Sequence, residues 1–111
     1  SGKVLLVTAS LDGVPVDVAR NMTDMIKEKN PAAVAVLAVS GDGKLNFLAA
    51  AGKEAVALGA HAGKLVGAVA AVTGGKGGGR PDNAMAGGRD IDQIPEALST
   101  AEVVLGGMLK D

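Results

Sequence analysis

Apolar and polar positions divide the chain into alternating short and long segments. Val4-Leu5-Leu6-Val7 is a continuous apolar run ending in Thr8-Ala9-Ser10, a pattern that predicts a first strand over 3–9, buried on both faces. Asp12-Gly13 then marks a turn, Pro15 suits a first helical turn, and Val14, Val18, Met22, Met25 and Ile26 recur at helical spacing until Asn30-Pro31, which places a helix at 15–29. Ala33 to Val39 is a second all-apolar run. With the first it forms a strand–helix–strand unit whose strands should be parallel with a right-handed crossover.

Ser40-Gly41-Asp42-Gly43 is a hairpin signal, and Leu45, Phe47 and Ala49 alternate after it with Lys44, Asn46 and Leu48, so an antiparallel third strand follows. Between Ala60 and Thr73 the residues Ala62, Leu65, Val66, Val69 and Val72 outline a helix. Its Gly63 and Gly67 cost helix propensity but let a neighbour pack close. A glycine-rich loop comes next, then a short strand from Asn83 to Ala86. A last helix is announced by Asp92, Pro95 and Glu96 and carries Leu98, Ala101, Leu105 and Met108 on one face. The order β-α-β-β-α-β-α predicts an α/β fold, a mixed sheet of about four to five strands with helices packed on its faces.

Length and composition narrow the class. A chain of 111 residues fits one domain able to bury roughly two thirds of its unfolded surface. With 48% hydrophobic and 21% charged residues it is too apolar for disorder, and no apolar stretch approaches the about 20 residues a bilayer span needs. The absence of cysteine excludes disulfides, thiolate metal sites and a cysteine nucleophile, and with no secretory-type start a cytoplasmic protein is expected. Ser1-Gly2 reads as an expression remnant. The single aromatic residue, Phe47, argues against recognition of single strands by base stacking.

The chemistry concentrates in Val72 to Arg89, where seven of the 17 glycines lie between Gly74 and Gly88 together with Lys76, Arg80 and Arg89. Glycines let a ligand approach the backbone, so successive amides are expected to converge on an anion and the three cations to complete a phosphate cradle. Without a ligand, the same stretch reads as a flexible loop with scattered charges. It is neither a Walker motif nor a dinucleotide fingerprint placed after a strand. Residues 53–89 carry a net charge of +3 and residues 90–111 one of −4, within a total of −1. A positive middle third fits a phosphate site, while the near-neutral total argues against strong non-specific nucleic-acid binding.

The run Gly74-Gly75-Lys76-Gly77-Gly78-Gly79-Arg80-Pro81-Asp82, continuing through Ala84-Met85-Ala86-Gly87-Gly88, resembles the signature of the C-terminal domain of alanyl-tRNA synthetase, a branch of the DHH-associated family. The preceding Ala62-Gly63-Lys64-Leu65-Val66 is similar to that family's pattern too, so the resemblance covers nearly the whole chain. It implies one DHH-associated-type domain over 1–111, without the helical portion that precedes the globular part in the synthetase. It further implies a non-catalytic accessory role with no cofactor, helping to hold alanine-specific tRNA near its elbow and coupling aminoacylation to editing. The nucleic-acid contacts carried over are Lys64, Gly74, Gly75, Lys76, Gly77, Gly78, Gly79, Arg80, Asn83 and Arg89. In the wider family the glycine run ends in histidine. Arg80 in its place favours a phosphate-binding cation over a catalytic imidazole.

The remaining candidates read as structural. His61, the only histidine, lacks partners for a metal site; Asp82 is expected to fix the turn after Pro81 or to orient Arg80; Ser10, Ser40 and Ser99 lack a nucleophile elbow; the four methionines read as core filling. A second function class is an interaction module. Val103-Val104-Leu105-Gly106-Gly107-Met108 puts apolar residues on more than one side of the last helix, which suits packing against a second copy or the missing helical portion, and duplex DNA and another protein are the further candidate partners.

Overall fold

A computed structural model describes residues 4–109; Ser1, Gly2 and Lys3 of the expected first strand lie outside the described residues. The elements are β1 (Leu5–Asp12), α1 (Val16–Lys29), β2 (Ala33–Gly41), β3 (Lys44–Ala51), α2 (Lys53–Ala57), α3 (Ala62–Val72), β4 (Lys76–Gly79), β5 (Asn83–Gly88) and α4 (Ile94–Met108), the last preceded by a 3₁₀ turn at Ile91–Gln93. They build one five-stranded sheet in the order β1-β2-β3-β5-β4. β1 and β2 are parallel, as a helical crossover requires, and the remaining pairs are antiparallel.

The run Ala33–Val39 is buried at every position because β2 is covered on both faces. On one face Val34, Val36, Phe47, Ala49, Ala84 and Ala86 meet Leu65, Val66 and Val69 of α3 and Ala97, Ala101 and Leu105 of α4. On the other, Leu37, Val39 and Leu48 meet Ala19 of α1, with Val14 and Val16 closing the cluster. Phe47 is fully buried, a side chain worth about 1.5–3 kcal/mol against exposure. The β2–β3 connection is the expected tight turn, with Asp42 and Gly43 at φ of 51° and 73°, the left-handed pair of a type I′ hairpin.

Several expectations are corrected. β1 lies at the sheet edge and α1, on the face to which Leu5 points, packs on β2 and β3, so Leu5 is 54% exposed instead of buried. α1 turns Ala19 and Thr23 to the sheet, small residues that bring the helix close. Val18, Met22 and Met25 consequently face solvent, and with Met85 also exposed the methionines are mostly not core filling. Thr23 is tolerated inside because its hydroxyl donates to the Arg20 carbonyl at 2.8 Å. α2, too short to show a period, precedes α3, and the glycine run contains β4 where a loop was expected.

Candidate nucleic-acid interface

The glycine-rich stretch is a helix cap followed by a hairpin. Gly74 ends α3 at φ 82°. Its N–H donates to the Ala71 carbonyl at 3.1 Å and that of Gly75 to Ala70 at 2.9 Å, the two bonds of a Schellman cap. β4 then pairs with β5, and Arg80 N–H donates to the Asn83 carbonyl at 3.0 Å to close the turn over Pro81-Asp82. Three successive glycines can sit in a strand here because α3 supplies the packing that side chains would have given. A methyl group on Gly63 would collide with the Gly79 carbonyl, and one on Gly67 would lie 3.0 Å from the Gly77 oxygen. Helix and strand therefore touch backbone to backbone.

The amino end of α3 is tied to the same turn. Ala62 N–H donates to Pro81 O at 2.8 Å, Gly63 N–H to Arg80 O at 3.0 Å, and Lys64 N–H to Nδ1 of His61 at 3.1 Å. His61 is thus the N-cap of α3, satisfying an amide that would otherwise lack a partner.

Counting amides corrects the expected convergence on an anion. Those of Gly74, Gly75 and Arg80 are used internally. The Arg80–Asn83 bond fixes the alternation of the antiparallel ladder, so Lys76 and Gly78 bond across to β5 while Gly77 and Gly79 point off its edge. Along a strand the donors alternate sides and form no nest. What the stretch offers an anion is chiefly its side chains.

Those cations separate into two groups. Arg80 Nε stands 4.0 Å from Asp82 Oδ1, and the other Asp82 oxygen lies 3.9 Å from Lys27 Nζ, itself 3.8 Å from Asp24. The turn end is electrically balanced, with Asp82 lying between Arg80 and Lys27. Asn83 is occupied as well, its Nδ2 donating to Asp24 Oδ1 at 3.3 Å. At the other end of β4, Lys76 and Arg89 flank a hollow of about 480 Å³ lined by Gly74, Gly75, Lys76, Gly87, Gly88 and Arg89. No carboxylate lines it, and among the described residues neither cation has one within 4.0 Å. Two larger hollows, of about 650 and 630 Å³, mix signs: Asp12 and Asp42 with Lys44 line one, and Glu28 and Asp82 with Lys27 and Lys53 line the other. Sign of charge, and not size, singles out the Lys76–Arg89 hollow for an anion. Lys64 is exposed on the first turn of α3, beside the Gly63 contact with β4.

One nearby cation was not singled out from sequence. Arg20 of α1 reaches β5, its Nη2 lying 3.6 Å from Met85 Sδ. Helical spacing puts Arg20, Asp24 and Lys27 on one side of α1, but only the sheet order shows that this side faces β5. Among the described residues no three His, Cys, Asp or Glu side chains gather as metal ligands. No helix among them is long and apolar enough to cross a membrane.

The DHHA1 domain family matches residues 3–107. The chain is 47% identical over 98 residues to an alanine–tRNA ligase of Shouchella clausii, covering 88% of this chain and 11% of that protein. To the alanine–tRNA ligase of Alkaliphilus oremlandii it is 44% identical over 108 residues, covering 97% and 12%. It thus spans about a ninth of the length of these relatives. Among solved structures, the C-Ala domain from Aquifex aeolicus alanyl-tRNA synthetase is similar with a TM-score of 0.81 and 30% identity, over 92% of this chain and 91% of that one.

Proposed function

The chain belongs to the DHHA1 domain family, and from that premise we propose that it is the globular accessory domain of a cytoplasmic alanyl-tRNA synthetase, binding tRNA without chemistry of its own. In the complete enzyme it helps to hold alanine tRNA near its elbow and couples aminoacylation to editing. The observation that carries this reading is the acid-free hollow between Lys76 and Arg89, in a chain similar throughout to the C-Ala domain. Phosphate contacts come from Lys76 and Arg89 first, with Lys64 and Arg80 at the margins and the glycines keeping the backbone low enough for approach.

The test is a salt-titrated binding assay with alanine tRNA, an unrelated tRNA and duplex DNA, on wild type, Lys76→Ala/Arg89→Ala and Arg80→Ala. Preference for tRNA, lost in the double variant, supports the reading. Equal binding of duplex DNA redirects the domain toward DNA, and affinity unchanged by the double variant removes the hollow from the interface.

A second reading, as an interaction module, is favoured by α4. Val103 is 76% exposed, and nothing lies within 4 Å of where side chains on Gly106 and Gly107 would begin. Sedimentation that is strictly monomeric across concentration would dismiss self-association through that helix.

A further inference from the structure

We propose that the nucleic acid reaches past the Lys76–Arg89 hollow onto the uncovered sheet face of the β4–β5 hairpin, and that Arg20 of α1 is a phosphate contact there. The inference rests on the nucleic-acid reading above and specifies its surface. Pairing sets Lys76 opposite Gly87 and Gly78 opposite Met85. Met85 in turn pairs with Leu48, whose face of the sheet is the one α1 covers. All four residues therefore share α1's face, yet α1 packs on β2 and β3, and Lys76, Gly78, Met85 and Gly87 are all exposed.

Two cations bound this bare floor. Lys76 stands on it, and the Arg20 guanidinium overhangs it from α1, held by the 3.6 Å contact with the Met85 thioether. Among the described residues Arg20 has no carboxylate within 4.0 Å and makes no other side-chain hydrogen bond. A guanidinium with five donors and a single weak acceptor is equipped to bind a phosphate oxygen pair. Lys27 and Asp24, further along the same helix side, are by contrast paired with each other.

The floor itself has no internal reason to be bare. Gly75, Gly77, Gly79 and Gly88 would each drive a side chain into a neighbouring strand or the core, and Gly74 needs its left-handed φ. Gly78 and Gly87 differ. Neither has a left-handed φ; a Cβ on Gly87 would meet nothing within 4 Å, and one on Gly78 would meet only the Gly63 oxygen of α3, at an ordinary contact distance of 3.8 Å. Glycine weakens a strand and often marks close approach by another molecule's backbone. A ribose–phosphate segment lying flat across Gly78 and Gly87, its charges taken by Lys76 and Arg20, accounts for both.

The test measures binding of an alanine tRNA transcript to wild type, Gly87→Val, Gly78→Val and Arg20→Ala, with a thermal melt of each. The expected result is about tenfold or greater loss for the valine variants at unchanged or raised Tm, and about three- to tenfold loss for Arg20→Ala with the salt slope reduced by roughly 1. If wild type binds and Lys76→Ala/Arg89→Ala weakens binding while Gly87→Val and Arg20→Ala bind normally, the floor is overturned and the hollow stands. If wild type does not bind, the nucleic-acid reading falls and the floor with it. Arg20→Ala alters only the exposed side of α1, so it decides the question even if a valine variant fails to fold.

Discussion

Gly63 of α3 and Gly79 of β4 meet with no side chain between them, the Gly79 carbonyl filling the space a Gly63 methyl would need. The contact joins helix to edge strand across the fold, and neither partner is a flexible side-chain end that can step aside. Gly63→Ala should therefore destabilise the domain by about 2–3 kcal/mol, with Gly67→Ala milder because its contact is at 3.0 Å. Urea unfolding of both variants checks this, and a loss below about 0.5 kcal/mol at Gly63, the range of ordinary surface substitutions, would refute the close packing.

His61 caps α3 through Nδ1. Replacing it with alanine should cost about 1 kcal/mol, and His61→Asn should recover most of that, since asparagine is a strong N-cap. Equal loss in both variants would show that ring packing, and not the cap, is what His61 supplies.

Asp82 is shared between Arg80 and Lys27 at 4.0 and 3.9 Å. These pairs are partly exposed, so Asp82→Asn should change stability by less than about 1 kcal/mol. It should nevertheless strengthen nucleic-acid binding by releasing Arg80 at the turn, while Lys27 keeps Asp24 as its partner. Lys76→Ala/Arg89→Ala should flatten the salt slope by roughly 2, and Arg80→Ala by less than about 1 because Arg80 is already partly neutralised. A larger effect at Arg80 would move the interface to the turn.

Gly106 and Gly107 occupy an α4 surface with open space above them. If nothing packs there, Gly106→Ala and Gly107→Ala should each stabilise the helix by about 0.5–1 kcal/mol. Thermal melts read this directly. A destabilisation that grows with protein concentration would identify a second copy on that face.

The sequence was most legible where side chains carry the pattern. Ala33–Val39 announced a strand covered on both sides, Asp42-Gly43 announced its turn, and the resemblance in the glycine run led to the family. Val4–Val7 has the same apolar continuity as β2, but which strands a helix covers depends on strand order, and α1 covers β2 and β3 while Leu5 stays exposed. β4 was illegible because its glycines have no periodicity to read; what makes it a strand is α3's backbone beside it. Lys76 and Arg80 are close in sequence yet lie at opposite ends of β4, whereas Lys76 and Arg89 are brought together by the pairing of Lys76 with Gly87.

Helix α3 is fastened to the hairpin at both ends. Its first amides are bonded to the carbonyls of Arg80 and Pro81, and beyond its last turn Thr73 O and Oγ1 receive the amides of Asp90 and Arg89 at 3.0 and 3.4 Å. Helix, turn and both strands close a ring in which no member can swing away alone. Exposed as it is, the hairpin should not breathe independently: its ladder amides should exchange with solvent together with those of α3, as one opening unit. A ligand seated on the hairpin would accordingly grip a stiff frame continuous with the core, so that a pull on it is felt by the whole domain.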